Sequence, residues 1–576
     1  SNCSVNVNAN INNTDILTTN AGSNSLNGNL TPISLNFGNN NQSHAAFTLN
    51  YPDAGQIRLH AKYKLPNSAN SYITGSSNSF VVSPFGFYLN FAPDSSNDTT
   101  NPAAINAGDA KFKKAGKLFE TTITAVQWQS GDSATNNNDL VNNPVTPNFG
   151  NEQLPASDNV NLSWGLVAPL PGSLGNLTNR EFSDFVNGQA TQNISWTEVG
   201  IISVTAALKT TTYLGANTVS TTAPYVGRFY PDHFEIDNVV NGDIFSTCEA
   251  TNSPKSYTYV GETTLVNTSI GALGYGIEPK FSIIAKSANC PSGVCTTTEN
   301  YVGAFDKLTV NDVNLVTPTQ DYATQGADTL TNMALSATIG IAQMSNVNGE
   351  ISYTFNSDDH YFYTHDANAK RAEFASDINL GITSITDSDG VTAIDFTSAD
   401  DADFTEVLTL HPTGTTIRFG RWRTENAYGP ETSDLIAPMA IEVFNGTQFI
   451  THVDDNCTVP QIASKQAAGA LSLFDYRLTD QDNSDSLLVT DTSATIPVAL
   501  PLTSKKFNSG QFQQFTFSAP NNNKQGPLLF EYEVPPWLKY DWTDGNGPFT
   551  ENPSALITFG LFRGNDRIIS WREVGN

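Results

Sequence analysis

The chain has 576 residues, and its 56 acidic residues outnumber 28 lysines and arginines, so the formal net charge is −28. A surface this acidic repels phosphate backbones and anionic lipids, which argues against nucleic-acid binding and against a membrane-surface role. No run of 18 apolar residues predicts a membrane span, so we expect no membrane insertion. The length exceeds what a single core supports, so three or four modules are expected.

The sequence of the first part of the chain predicts short strands between polar loops. Residues 1–45 are rich in Asn and poor in apolar residues, which predicts an N-terminal segment with short strands at most. The alternating runs 47–51 and 56–63 flank a Pro-Asp-Ala-Gly turn, the pattern of a hairpin. Further alternating runs at 80–89 and 119–128 predict one or two sandwich modules over residues 46–226.

A repeated sequence motif divides the rest of the chain. Ile-Ser-Trp-Thr-Glu-Val-Gly at 194–200 returns as Ile-Ser-Trp-Arg-Glu-Val-Gly at 569–575, which predicts two comparable halves. Between them, strand patterns continue, and the clearest hairpin turns at Asn445-Gly446, a pair suited to a type I′ turn.

The predicted fold follows from these patterns. No sustained 3.6-residue period appears, so the fold is predicted to be all-β. We expect tandem β-sandwich modules, Ig-like or jelly-roll-like, joined by long polar loops. Besides the module or modules at 46–226, the predicted modules cover residues 227–405 and 406–576.

Five cysteines indicate an oxidising compartment. Cys290 and Cys295 close a short turn-rich loop and predict a local disulfide, because a zinc site would need further thiols or imidazoles nearby. Cys248 and Cys457 are then expected to join distant segments, which leaves Cys3 without a partner in this sequence. The Ser1-Asn2 start suggests the cut end of a longer protein, with the chain itself secreted and soluble.

Several motifs occur in the order found in one known family. They include Trp-Thr-Glu-Val-Gly at 196–200 and Gly-Arg-Phe-Tyr-Pro-Asp-His-Phe at 227–234, and the others lie at 52–56, 80–87, 125–128, 146–150, 299–305, 419–421, 426–429, 454–458 and 562–568. From about residue 45 onward the chain resembles the C-terminal region of MshQ-like proteins of the mannose-sensitive haemagglutinin type IV pilus system, a domain of unknown function. The resemblance implies secretion and pilus association, and it implies no catalytic residue. Gln127 stands where the family usually has Cys.

Acidic clusters are the candidate metal sites, because Ca²⁺ takes six to eight oxygen ligands from closely spaced carboxylates, amides and carbonyls. The first candidate comprises Asp480, Asp482, Asn483 and Asp485, and Asp387 with Asp389 forms a shorter version. A third cluster lies at 400–406. None has the twelve-residue calcium loop with a closing Glu, and a solvated acidic turn is the alternative for each.

Aromatic residues are the candidate ligand-binding groups, since exposed Trp and Tyr stack on sugar rings. Trp537, Tyr540 and Trp542 share one loop and are the predicted sugar-facing set. Core or turn packing is expected instead for Trp128, Trp196 and Trp571, which end alternating strands.

The candidate catalytic groups are few. His233 follows Asp232 and is expected to be a packed structural histidine, because no nucleophile motif accompanies it. The sequence has no Gly-x-Ser-x-Gly, His-Glu-x-x-His or phosphate loop, so no catalytic residue is predicted.

Three functions fit these observations. The first is a non-enzymatic tip adhesin or tip-assembly subunit of a type IV pilus, docked to minor pilins by strand addition at Ile568, Ile569 and Trp571. The second is a secreted glycan-binding or glycan-active protein that takes surface or host glycans. The third is a structural factor for pilus biogenesis.

Overall fold

A computed structural model describes residues 8–16, 18, 30–38, 43–91, 100–151, 159–248, 251, 253–263, 272–321, 335–365, 370–375, 377–394, 406–497 and 505–560. These residues form strands joined by turns and short 3-10 helices, so the predicted all-β fold of tandem sandwiches is confirmed. Among the described residues, no helix is long and apolar enough to cross a bilayer.

The N-terminal strands form small sheets: β1 (Ala9–Ile11), β2 (Thr14–Ile16), β3 (Leu49–Asn50), β4 (Gly55–Ile57), β5 (His60–Lys64), β6 (Tyr72–Ser76) and β7 (Phe80–Val82). Strand β1 pairs with β2 and β3, whereas β4 pairs with β7 and β5 with β6. The hairpin predicted at the Pro-Asp-Ala-Gly turn is therefore wrong. Asp53 and Ala54 are buried, and the Asp53 carboxylate accepts a hydrogen bond from the Asn148 backbone, so this turn packs into the next module.

The first sandwich contains β8 (Gly86–Phe91), β9 (Phe119–Val126), β10 (Val160–Ala168), β11 (Leu177–Thr178), β12 (Glu181–Phe182), β13 (Gln189–Trp196), β14 (Gly200–Leu208) and β15 (Ser220–Phe229), with 3-10 turns at Asn137–Leu140 and Tyr213–Gly215. Its two sheets have the orders β11-β13-β9-β8 and β12-β10-β14-β15. The core between them is rich in aromatic residues, including Phe119, Trp196 and Phe229. Alternate residues of β14 supply it, as a half-buried strand requires.

The second sandwich contains β16 (His233–Val240), β17 (Asp243–Cys248), β18 (Ser253–Lys255), β19 (Tyr257–Tyr259), β20 (Leu273–Ile277), β21 (Lys280–Lys286), β22 (Val313–Leu315), β23 (Thr319–Asp321), β24 (Leu335–Thr338), β25 (Gln343–Val347), β26 (Glu350–Thr354), β27 (His360–Tyr363), β28 (Asp377–Ile385) and β29 (Glu406–Leu410). Short 3-10 turns lie at Pro291–Gly293, Gly303–Phe305 and Val310–Asp312. Its sheets are β16-β21-β26-β25, β18-β17-β20-β27-β24 and β22-β28-β23, with β29 also on β28. Val199 and Ile201 of the first sandwich share its core, so the two modules are packed together.

The third sandwich contains β30 (Thr416–Arg418), β31 (Gly420–Thr424), β32 (Ala427–Gly429), β33 (Leu435–Ile436), β34 (Met439–Phe444), β35 (Phe449–Thr451), β36 (Lys465–Gln466), β37 (Tyr476–Asp480), β38 (Ala494–Thr495), β39 (Gln511–Phe512), β40 (Thr516–Phe517), β41 (Gly526–Tyr532) and β42 (Ser554–Phe559). Further 3-10 turns lie at Asn521–Asn523 and Pro536–Leu538. The main sheet has the order β32-β42-β41-β37-β36. Tyr257 and Tyr259 of β19 enter its core beside Trp422, because β19 pairs with β30 in parallel.

The hairpin predicted at Asn445-Gly446 forms, with a longer loop than expected. Strands β34 and β35 pair up to Phe444 and Phe449, and the loop consists of residues 445–448. Asn445 N–H donates to the Gln448 carbonyl, while its side-chain oxygen accepts from the backbone N–H of Thr447 and Gln448. The loop therefore has four residues, and the two-residue type I′ turn is wrong.

Candidate functional site: buried polar joints between the sandwiches

Arg228 at the end of β15 connects the first sandwich to the second. Its Nη1 and Nη2 donate to the two carboxylate oxygens of Asp389 at 2.5 and 2.8 Å, and its Nε donates to the Asp109 carbonyl. Both partners of the ion pair are largely buried. Burial acts to raise the pKa of Asp389, but the hydrogen bonds and charge of Arg228 outweigh it and lower the pKa. Such bidentate pairs combine strength with fixed geometry.

Glu198 forms a second connection between the same two modules. Its carboxylate accepts hydrogen bonds from the backbone N–H groups of Val199, Glu299 and Asn300, at 2.9 to 3.1 Å. Burial raises the pKa of Glu198 to about 7, although these three donors act to lower it. Asn300 also donates to the Ser173 carbonyl, so this corner of the second sandwich is bound from two directions.

His233 lies beside this joint in a charged setting. Its Nδ1 is 2.9 Å from Asp232 Oδ2, and its Nε2 is 3.3 Å from Glu235 Oε1. Cys295 lies near His233 and Glu235, but its sulfur is bonded to Cys290 and offers no thiolate to a metal. The expected packed, hydrogen-bonded histidine is confirmed.

The joint between the second and third sandwiches is a buried hydrogen-bond chain. The Tyr259 hydroxyl donates to Asp455 Oδ2 at 2.6 Å and lies 2.8 Å from His452 Nδ1. His452 Nε2 is 2.5 Å from Arg418 Nη1, and Arg418 also pairs with Asp454. Burial lowers the pKa of His452 to about 4, so the imidazole is neutral at ordinary pH.

Two further bonds strengthen this second joint. Lys255 Nζ pairs with Glu262 at 2.5 Å in a buried setting. The disulfide between Cys248 and Cys457 spans a sequence separation of 209 residues and links β17 to the segment after β35. The local disulfide between Cys290 and Cys295, which the spacing predicted, is also present.

The arrangement of these joints suits them to hold neighbouring modules together. Tyr259, His452 and Asp455 are at most 2 % exposed, so a substrate does not reach them in this arrangement. The bonds of Arg228, Glu198 and Tyr259 each join a side chain of one module to a hydrogen-bond partner in the next, and such networks rigidify when every member is satisfied. Sequence spacing misses them, because the partners lie more than 100 residues apart in three of the cases.

The predicted calcium clusters occupy two different settings. Asp480, Asp482 and Asp485 each accept a backbone N–H from two residues ahead, which gives a series of Asx turns with Asn483 exposed among them. Asp387 is instead buried and accepts from Tyr301 Oη and from the Asp389 and Val391 backbones.

The binding of calcium at either cluster stays a prediction. An ion at Asp387 and Asp389 would have to displace protein donors, including the guanidinium of Arg228. The Asx turns at 480–485 match the solvated acidic turn that was the alternative reading. Most of the third acidic cluster, at 400–406, lies outside the described residues.

The predicted sugar-facing loop is largely buried. Trp537 and Tyr540 are 5 % and 6 % exposed, which corrects the expectation of open ring faces. The turn at Pro536–Leu538 carries Trp537 into the core, and Tyr540 stacks on Phe549 with its ring near Arg421. Trp542 is partly exposed and packs edge-on against Tyr540.

The remaining predicted residues are compared with the structure in the same way, and some of them lie outside the described residues. Trp196 is fully buried as expected, whereas Trp128 is 65 % exposed because it lies beyond the paired part of β9. The predicted docking strand with Ile568, Ile569 and Trp571 lies outside the described residues.

A groove on the first sandwich was not anticipated from sequence. It lies where the edge strands β8 and β15 meet, and its lining includes the tyrosines Tyr88 and Tyr225 and the amides Asn90 and Asn138. At the adjacent strand edges, the Asn101 side chain donates a hydrogen bond to the Tyr225 carbonyl, and the Asn137 side chain donates one to the Leu89 carbonyl. Alternation along β8 marks Tyr88 and Asn90 as sharing a face, but only the approach of β15 makes that face a groove.

Four family models match most of the chain. The domain of unknown function DUF6701 matches as its first Ig-like domain at residues 1–76, its second at 83–195, its third at 198–409 and its fourth at 418–574. The chain belongs to the DUF6701 family. The joint between Tyr259 and Asp455 thus connects the third DUF6701 domain to the fourth, whereas Arg228, Asp389 and Glu198 of the first joint all lie within the range matched by the third domain. No curated protein matches the chain.

Solved structures resemble the chain only distantly. One is the C-terminal 282-residue fragment of intimin in complex with the intimin-binding domain of the translocated intimin receptor, with 12% identity over 55% of this chain and 64% of that chain, and a TM-score of 0.15. Invasin, a bacterial integrin-binding protein, gives 8% identity over 78% of each chain and a TM-score of 0.18. Domains 4–9 of the surface layer protein SbsC give 10% identity over 96% of this chain and 66% of that chain, with a TM-score of 0.18. TM-scores this low carry no argument about function.

Proposed function

We propose that this chain is a secreted, non-enzymatic component of a type IV pilus, acting as a tip adhesin or tip-assembly subunit of the MshQ-like kind. The observation that carries the proposal is the pair of buried joints, which tie three sandwiches into one mechanically continuous unit. A surface protein under tension needs such connections, because a module linked only by a flexible segment transmits no fixed orientation. The motifs shared with MshQ-like proteins support the pilus assignment.

The test uses bacteria that carry the gene for this chain. Deleting the gene is expected to abolish attachment to a surface under flow while the number and length of pili, counted by electron microscopy, stay normal. Complementation with the intact chain restores attachment. Loss of pili together with attachment would assign the chain to pilus biogenesis instead, and unchanged attachment would contradict the proposal.

Docking to minor pilins by strand addition is part of this proposal. The test compares the full chain with a chain ending after residue 560, which lacks Ile568, Ile569 and Trp571. Peptides from minor pilins are expected to bind the full chain and not the shortened one, since β-augmentation uses backbone groups of an unpaired edge. Equal binding, or no binding to either, would contradict the docking proposal.

Calcium binding at Asp480, Asp482, Asn483 and Asp485 also belongs to this proposal. Ca²⁺ added after EDTA is expected to raise the unfolding temperature of the intact chain and not that of an Asp482→Asn variant, because bound ligand stabilises the folded state. The same shift in both chains would contradict this site.

A second candidate function is glycan binding in the groove of the first sandwich. Partly exposed tyrosines with nearby amides suit sugars, because aromatic rings stack on sugar faces while amides bond to hydroxyls. On a glycan array, Tyr88→Ala and Tyr225→Ala are expected to abolish binding, while Tyr428→Ala, an exposed tyrosine of the third sandwich, leaves it unchanged. Equal signals from all three variants would rule out the groove.

A further inference from the structure

Strands β4 to β7 form a two-stranded ribbon that differs from the rest of the chain. Gly55 pairs with Val82 at one end, and Lys64 pairs with Tyr72 near the other. The base of the ribbon is anchored by Asp53, whose buried carboxylate binds Asn148 through backbone and side chain. All five residues of β6 are exposed. The outer half of the ribbon therefore presents its surface to solvent.

The charge of the ribbon is opposite to that of the molecule. Between Asp53 and Asp94 the sequence contains no acidic residue, and its charged side chains are Arg58, Lys62 and Lys64. The chain as a whole carries a net charge of −28. A small cationic region on so acidic a protein concentrates its attraction for anions at one place, while the remaining surface repels them.

The cations of the ribbon lie in a row. His60, Lys62 and Lys64 alternate along β5 and so share one face, with about 7 Å between successive residues. Tyr72 is directly opposite Lys64 on the same face, 44 % exposed, and Lys62 Nζ lies 4.2 Å from the centre of its ring. The face thus combines regularly spaced positive charge with an accessible aromatic ring.

Among the described residues, these cations have no protein counter-ion. Within the ranges that the structure describes, no carboxylate lies within ion-pair distance of Arg58, Lys62 or Lys64, whereas Arg228 and Lys255 are paired. Cations without an ion pair on a fixed strand bind an external anion without first breaking an internal salt bridge. The row is therefore open to a ligand.

We propose that this face binds a linear acidic polysaccharide, with carboxylates on Lys62 and Lys64 and a sugar ring stacked on Tyr72. A straight row of charges on an extended strand fits an extended polyanion better than a curved protein surface, and the aromatic ring supplies a contact suited to sugars. The repulsion from the other modules directs the polymer to this ribbon. The proposal does not depend on pilus association.

Binding of the full chain to immobilised alginate, a linear polyuronate, tests the site, with dextran as the neutral control polymer. The double variant Lys62→Gln with Lys64→Gln is expected to bind about tenfold or more weakly, and Tyr72→Ala several-fold more weakly. The matched control, Lys209→Gln with Lys280→Gln, removes the same charge from the first and second sandwiches and is expected to bind like the intact chain. Binding should also weaken with added salt, because it depends on exposed charges.

Each other outcome overturns the proposal in a recognisable way. Equal loss in both double variants would show an effect of net charge only, and equal binding to dextran would remove the role of the anion. A preference for phosphatidylglycerol vesicles would assign the face to a lipid surface. Self-association lost in the Lys62→Gln, Lys64→Gln variant, measured by sedimentation, would assign it to a second copy.

Discussion

At the scale of single residues, the pair of Arg228 and Asp389 holds two modules in one orientation. The guanidinium reaches from β15 across the joint, and both side chains are withdrawn from water. A buried ion pair contributes little net stability compared with apolar packing, but loss of one partner leaves an uncompensated charge.

Asp389→Asn is accordingly expected to lower the free energy of unfolding by about 3–5 kcal/mol. Urea unfolding followed by fluorescence measures the change. The control is Glu181→Gln, which breaks a half-exposed pair with Lys209 and should cost far less, because solvent screens an exposed ion pair. Similar costs for the two variants would mean that the joint tolerates the lone guanidinium.

Glu198 gives the same joint a dependence on pH. Because its pKa in the folded chain is about 7, above its ordinary value of 4.5, the folded state holds this proton over a range where the unfolded state releases it. Stability from Glu198 is therefore complete below about pH 4.5 and is lost as the pH rises to about 7. The neighbouring carboxylate of Glu299 acts in the same direction, since it raises the pKa further.

In a Glu198→Gln variant this dependence should disappear. Unfolding free energies of the two chains, measured from about pH 4.5 to about pH 8, should show the intact chain losing stability relative to the variant as the pH rises. A constant difference across this range would show that Glu198 keeps an ordinary pKa.

At the scale of elements, the long-range disulfide joins a strand of one sandwich to a segment of the next. Cys248 ends β17 in the second sandwich, and Cys457 follows β35 in the third. A cross-link between residues 209 apart restricts the unfolded chain far more than one between residues five apart, such as Cys290 and Cys295.

The loss of Cys248 and Cys457, both changed to Ser, is expected to destabilise the chain by about 5 kcal/mol, against about 2 kcal/mol for the same change at Cys290 and Cys295. Thermal and denaturant unfolding of the two variants compare them directly. The opposite ranking would indicate that the unfolded chain keeps structure around the second joint.

At the scale of the whole molecule, the modules share cores and strands. Val199 and Ile201 lie in the core of the second sandwich, and Tyr257 and Tyr259 lie in the core of the third. Strand β19 pairs in parallel with β30, so a strand of one module completes the neighbouring one. These shared elements couple the folding of the modules.

A chain ending after residue 410 is therefore expected to lose hydrogen-exchange protection at Tyr257–Tyr259 by about tenfold or more, because β30 is removed. Strand β9 in the first sandwich serves as the internal control and should keep its protection. Unchanged exchange at β19 in the shortened chain would show that the second sandwich holds this strand alone.

The sequence by itself determined the fold class and the local disulfide between Cys290 and Cys295. The local features that predicted them are the alternating burial along β14 and β41, the turn residues between strands, and the spacing of Cys290 and Cys295. Such features depend only on residues close together in the sequence, so the sequence alone predicts them.

Only the tertiary structure decided which faces are open and which charges meet. Trp128 and Trp537 both lie near strand ends or turns, yet Trp128 is exposed beyond the paired part of β9, whereas the turn at Pro536–Leu538 carries Trp537 into the core of its sandwich. The partners of Glu198 and Arg228 are about 100 and 161 residues away, and their contact depends on strand register in two sheets at once. That information is distributed over the whole chain, so no single motif contains it.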